Sequence, residues 1–256
     1  MTLRFGRYPR VADPGIRHLE SLVNVATLTP PPYISWDTVL PSNVGMMLND
    51  QLSDCVEAGA GHGLQVWTAE ASGTILTPTD QDIEQLYEEA AGYVPGDPST
   101  DNGSTLTEVL AYWMKTGIQT PRGKNLLAGR VEINPRDPLQ MKSVIAEMGF
   151  AYVGFNVPAW FADAVQSDTL PDLWDVNPSG DNTIVDGHCV VLPAYGPKGH
   201  YDVISWGSKA YRMTPAFAKQ FVNEGYGLLN ETWLEANGKT PYGMTWAQLQ
   251  AAMGQL

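Results

Sequence analysis

Apolar and polar positions divide the chain into an arm, a run of helices and a run of strands. Residues Met1 to Val44 hold many prolines, among them Thr29-Pro30-Pro31-Pro32, and only Gly15 to Val25 is amphipathic, so an extended arm carrying one short helix is expected. A helix should start near Cys55, because Asp54 and Glu57 have the spacing of a capping box. Ala58, Gly59, Ala60 and Gly61 leave little side chain on its next turns, which suits a helix packed closely against another layer. Thr79 caps a second helix, DQDIEQLYEEAAG; Thr105 with Glu108 opens a third that ends at Gly117; Asp137 with Pro138 starts a fourth running to Gly149. Tyr93 to Gly103 is a loop of Pro, Gly and Asp. The period then changes. AYVGFNV alternates as a strand, and Cys189 to Ala194, the turn residues Tyr195 to Gly199 and the strand Tyr201 to Trp206 read as an antiparallel hairpin. Thr214 and Pro215 open another helix, GYGLLN returns as a strand, and Thr245 caps a last short helix. Helices first and strands later predict an α+β fold rather than an alternating parallel one. The expected layout is an arm over 1–44 and a domain over 45–256, with a helical lobe at about 45–149, a sheet lobe at about 150–235 and a C-terminal helix at 245–253.

Composition narrows the classes. A chain of 256 residues with 43% hydrophobic content can form one large domain or two lobes around a cleft. A net charge of −13 and a pI near 4.6 argue against a nucleic-acid groove or an anionic membrane surface as partner. No apolar stretch approaches the length of a membrane span, and MTLRFGRYPR lacks the apolar core of a cleaved signal, so synthesis in the cytoplasm is expected. Two cysteines favour free thiols over a disulfide framework. Neither a phosphate loop nor a dinucleotide fingerprint appears, and four scattered histidines make no zinc pattern. Asp97, Asp101 and Asn102 resemble a calcium loop only loosely, lacking the regular spacing and the terminal glutamate. No cofactor or metal is therefore expected. The eight tryptophans are dispersed and read as core.

The candidate chemistry lies in two separate segments. In NDQLSDCVEAGAGH, Cys55 falls at the first turn of the expected helix, where free N–H groups and the helix dipole favour a thiolate while the adjacent Asp54 opposes it. In VDGHCVVLPAYG, His188 opens a strand, and imidazole near neutral pH can take a thiol proton and later return it to a leaving group. Cys189, next along that strand, should point to the opposite face as a core residue. His62, seven residues after Cys55, shares nearly the same helix face and reads as a core histidine.

Here the chain resembles the papain-like cysteine peptidase superfamily. The blocks are a cysteine at a helix start after a polar loop, DNGSTLTEVLAYWMKTGI, GHCVV opening a strand, and VISWG closing the hairpin. More narrowly, NDQLSDC, PGDPSTDNG, YWMKTGI and SWGSKAYRMT are similar to uncharacterised bacterial and bacteriophage proteins of this layout, over roughly residues 30 to 235. The resemblance implies a helical lobe whose nucleophile-bearing helix packs on an antiparallel sheet lobe, with Cys55 as nucleophile and His188 as base and acid. Three departures stand out. The oxyanion-hole glutamine expected six residues before the cysteine is Asn49, with Gln51 four before it. The asparagine that orients the histidine aligns with Ile204, which leaves Asp202, Ser205 and Asp186 as nearby substitutes, Ser205 on the opposite face of a regular strand. Val56 stands where an aromatic is expected.

Two functions follow from the resemblance. One is a thiol hydrolase cleaving a peptide or amide bond in a peptide or protein substrate, with Cys55 and His188 facing each other across the cleft near hydrogen-bonding distance and Gln51 or Asn49 near the oxyanion. The other is a bacteriophage virion protein, a capsid or tail component made in the cytoplasm and assembled with other virion proteins, on a degenerate peptidase scaffold. A homo-oligomer is compatible with both. The arm can cover a cleft as a propeptide does, lie along a neighbouring subunit, or wrap the domain; in each case it should pack on a surface rather than form its own core.

Overall fold

In the computed structural model, which describes residues 3–252, one long helix lies buried against a single nine-stranded sheet. In chain order the elements are α1 (Leu19–Leu22), β1 (Ile34–Ser35), β2 (Asn43–Gly45), α2 (Cys55–Ser72), α3 (Asp80–Ala91), α4 (Leu106–Lys115), β3 (Gly129–Glu132), α5 (Pro138–Met148), β4 (Ala151–Pro158), α6 (Ala159–Gln166), β5 (Leu173–Trp174), β6 (Ile184–Tyr195), β7 (Tyr201–Ser205), β8 (Gly207–Met213), α7 (Pro215–Phe221), β9 (Val222–Leu229) and α8 (Trp246–Ala252). The capping signals at Thr79, Thr105, Asp137 and Thr214 each open the helix expected of them.

The small residues of α2 are what bring it onto its neighbours. A Cβ at Gly59 would stand 3.0 Å from the Tyr152 ring, and one at Gly61 2.5 Å from the Met47 sulfur. The helix is closed in on all sides, so its polar face disappears and almost every residue from Cys55 to Ala71 is buried. One expectation fails here. Asp54 and Glu57 do not form a capping box: the Asp54 side chain makes no cap hydrogen bond, because its backbone (φ −100°, ψ 25°) is not the extended geometry that folds a cap over the first turn. Both carboxylates turn into the core instead.

The strands run in the order β2-β8-β7-β6-β4-β9-β3, with β1 on β6 and β5 parallel to β8. β6 and β7 form the expected hairpin, broken by a register shift between Val191 and Ala194. The expected lobe boundary near residue 150 needs correction, since β3 pairs with β9 from Gly129↔Leu229 to Glu132↔Tyr226 and so belongs to the sheet. The helix expected over Gly15 to Val25 shortens to α1, because Arg17 and His18 are drawn onto β3 by the bond from Glu132 N–H to the Arg17 carbonyl (2.9 Å) and a bridge at His18. Residue 253, the expected end of the last helix, lies outside the described residues.

Alternation along β6 divides the centre of the molecule. Cys189 pairs with Gly154 and faces α2, its sulfur 3.4 Å from where a Gly59 Cβ would be. His188 pairs with Phe155 and faces a separate aromatic cluster of Phe155, Phe161, Trp174 and Phe217.

Candidate active site

Cys55 is the first residue of α2 and is 1% exposed. The main chain of Cys189, the residue after His188, lies against its thiol. Burial pushes this thiol well above its ordinary value, and the adjacent Cys189 adds to the shift while its main chain opposes it. The first turn carries two more buried acids. Burial pushes Asp54 well above the carboxylate range, with Glu57 reinforcing it, and raises Glu57 to about 7. No oxygen of either carboxylate has a hydrogen-bond partner, nor does the buried hydroxyl of Ser104 beside them. Carboxylates in that setting release their protons at higher pH than exposed ones do.

The imidazole of His188 is fully buried, and its Nε2 lies 2.8 Å from Ser205 Oγ. The ring stacks on Trp206 at 4.3 Å and 17°, while Nδ1 has no partner, so the hydrogen-bonding approach expected between His188 and Cys55 is not made in this closed form. Burial lowers its pKa to about 3, with the positive charge of Arg7 adding to the effect. Of the side chains considered for orienting His188, Ser205 is the one that bonds its ring. Ile204 pairs with Val191 in the core, and a register break between Val203 and Ser205, followed by Trp206 in the left-handed region (φ 47°), turns the Ser205 hydroxyl to the face a regular strand would deny it. The two acids offered for this role are elsewhere. Asp186 accepts from the Gly187 N–H at 2.7 Å, and Asp202 sits among Asp37, Arg212, His200 and Lys209.

Of the two amides proposed for an oxyanion, Asn49 is buried, and its Nδ2 donates to the Leu52 carbonyl (3.4 Å). Left-handed backbone at Met47 (φ 53°) and Leu48 (φ 67°) aims this loop inward. Gln51 is exposed. Val56, where an aromatic was expected, is buried, and its carbonyl accepts from the Tyr152 hydroxyl. His62 bonds Gln65 Oε1 at 2.9 Å inside the core, away from the cleft.

The arm runs through the cleft itself. Arg4 N–H donates to the Asn49 carbonyl, Gly6 and Arg7 N–H to that of Gly187, and Tyr8 N–H to that of Ser104, while Ser104 N–H donates to the Gly6 carbonyl. Gly6 passes at φ 147° so close to the Ser53 carbonyl that no side chain fits. Phe5 sets its ring edge-on to His188 at 5.5 Å and packs on Trp206 at 5.8 Å. Arg4 pairs with Asp101 at 3.1 Å, and Arg7 with Glu224 at 2.9 Å. The reading of the sequence did not single out Phe5, Arg7, Asn156 or Glu224. A signal was present at Glu224, since an acid in the run FVNEGYGLL needs a buried partner.

No sequence-family model matches this chain, and no curated protein sequence is similar to it. Solved structures are. Xylellain, a cysteine protease from Xylella fastidiosa, superposes with a TM-score of 0.69 at 15% identity over 90% of this chain and 97% of that one. Procathepsin B S9 from Trypanosoma congolense gives 0.60 at 11% identity over 89% and 86%. Digestive procathepsin L 3 from the Tenebrio molitor larval midgut gives 0.58 at 13% over 89% and 76%. The fold is that of the papain-like cysteine peptidases, α+β with the helix bearing Cys55 against an antiparallel sheet.

Proposed function

We propose that this protein is a thiol hydrolase of peptide or amide bonds, held closed by its own N-terminal arm. The observation that carries the reading is an imidazole fixed at Nε2 by Ser205 and left free at Nδ1, on the residue next to the main chain that contacts the Cys55 thiol. Phe5 packs edge-on against the imidazole, and the charge of Arg7 adds to burial in keeping it neutral. Two neighbours in fold are procathepsins and a third, the Amb a 11 cysteine protease, was solved in its proform, which suits a closed arm.

With the arm displaced, water returns and the shifts due to burial relax. His188 Nδ1 takes the Cys55 proton as the sulfur attacks the carbonyl carbon. The oxyanion is met by the free N–H at the start of α2 and by the Gln51 amide. The imidazolium then protonates the leaving amine, and water, deprotonated by His188, releases the acid and restores the thiol.

The test is modification by iodoacetamide, mapped to Cys55 by mass spectrometry. The intact chain should react slowly, and a Phe5→Ala variant at least about tenfold faster, the equivalent of roughly 1.4 kcal/mol of arm binding. Adding His188→Ala should remove the acceleration near neutral pH. Equal rates in all three proteins would sink the reading and favour a structural role on the same scaffold.

A further inference from the structure

Beyond the N-terminal end of α2, the sheet holds a slot shaped around a guanidinium. Arg7 Nη1 donates to Glu224 Oε2 and Nη2 to Asn156 Oδ1, both at 2.9 Å. The two charged side chains are 1% and 0% exposed. Gly154 of β4 and Gly187 of β6 form the walls: a Cβ on the first would stand 2.5 Å from Arg7 Cδ, and one on the second 3.1 Å from its Nε. The Tyr226 hydroxyl donates to Glu224 Oε1 at 2.8 Å, which leaves Oε2 for whatever cation enters. A cavity of about 350 Å³, lined by Asn102, Ile184, Val185 and Asp186 as well as the arm, leads to the slot. Gly187 immediately precedes His188, so the slot adjoins the reacting pair.

The cation in the slot belongs to the arm, and the arm must leave for any substrate to enter. Its departure strands the Glu224 carboxylate, without its counter-charge, at the bottom of a narrow, glycine-walled slot. An uncompensated buried charge is strongly unfavourable, so the empty slot selects for a cation and against an apolar side chain. Two acceptors serving two different nitrogens suit the planar fork of arginine better than the single point charge of lysine. The glycine walls leave room for an unbranched stem.

We propose that this slot is the specificity pocket of the enzyme and takes the arginine side chain of a peptide substrate whose backbone bonds to Ser104 and Gly187 as the arm's does. The assignment rests on the thiol-hydrolase reading, with Arg7 as the resident stand-in for the substrate arginine and Glu224 as the residue that sets the preference.

Two measurements test it on the full-length chain. In an Arg7→Ala variant, n-propylguanidinium should raise Tm saturably while the neutral n-butylurea does not, and adding Glu224→Gln should weaken the guanidinium effect at least about tenfold. In the Phe5→Ala variant, which loosens the arm without touching the slot and carries the test should Arg7→Ala fail to fold, kcat/KM should favour an arginine peptide over its norleucine counterpart by about tenfold to a hundredfold, the range for hydrogen bonds to a charged group. Glu224→Gln should erase that preference. Turnover without a preference for arginine overturns the specificity assignment and spares the hydrolase reading. Guanidinium binding with no turnover of any peptide and no labelling of Cys55 overturns the hydrolase reading, and the specificity with it.

Discussion

The two walls of the cleft treat their polar groups in opposite ways. On the sheet wall each group has a partner of matching chemistry: His188 has Ser205, and Glu224 has both Arg7 and Tyr226. On the helical wall, Asp54 and Glu57 are just as deeply buried but their oxygens have no hydrogen-bond partner. The sheet wall is built around groups held in place by their partners. The acids of the helical wall are shifted chiefly by burial, so that wall responds to whatever lets water in. The arm crosses both, bonded to Asn49 and Ser104 on one side and to Gly187 and Glu224 on the other.

The largest effect should come from separating the sheet wall from the arm. Arg7→Ala leaves Glu224 without its counter-charge, and removing one partner of a buried ion pair typically costs about 3–5 kcal/mol. Urea unfolding should show that loss, while the double variant Arg7→Met, Glu224→Leu should recover most of it by replacing the pair with apolar contact. A double variant as unstable as the single one would mean that the pair matters through something other than charge.

The helical wall makes the complementary prediction, in pH. Glu57 titrates at about 7 in the folded protein against 4.5 unfolded, so between these values the folded state holds more protons than the unfolded one. Its contribution to stability is therefore full below about 4.5, declines as pH rises, and levels off above about 7. The decline amounts to roughly 3 kcal/mol at 1.36 kcal/mol per pH unit. Glu57→Gln should flatten this limb of the stability curve. His188 runs the other way, being lowered from 6.5 to about 3, so stability falls with acid below about 6.5. If the Glu57→Gln difference does not change between pH 4.5 and 7, water already reaches the helical wall in the closed form.

Much of this was legible in the sequence because it depends on local chemistry. Thr79, Thr105, Asp137 and Thr214 each mark a helix start by what a short polar side chain does to free N–H groups, and the Ala and Gly run after Cys55 announces close packing. The alternation that sends Cys189 to the α2 face could also be read in advance. Features that depend on distant parts of the chain could not. Arg7 and Glu224 are joined only by the path of the arm, and neither residue type at either position points to the other. Asp54 and Glu57 follow a capping-box spacing faithfully and still fail to cap, because burial of α2 turns them inward. Strand β3 was missed because its residues, Gly129 to Glu132, are too few to show alternation.

The smallest expected effect bears on how well the sheet wall is organised. The resemblance to papain-like peptidases puts the orienting role at Ile204, and strand periodicity denies it to Ser205. The observed backbone reverses this, since the register break and the φ of 47° at Trp206 bring Ser205 Oγ to 2.8 Å from Nε2. Ser205→Ala leaves a buried ring nitrogen unpaired and the imidazole held only by its stack on Trp206. A lost partner of that kind costs about 1–3 kcal/mol, so in the Phe5→Ala background the second-order rate of Cys55 modification near neutral pH should fall by roughly tenfold to a hundredfold. Ile204→Asn should not raise that rate at all, because the side chain it replaces points into the core against β6 rather than toward His188. A gain from Ile204→Asn together with no loss from Ser205→Ala would show that the imidazole swings to the other partner once the arm has left.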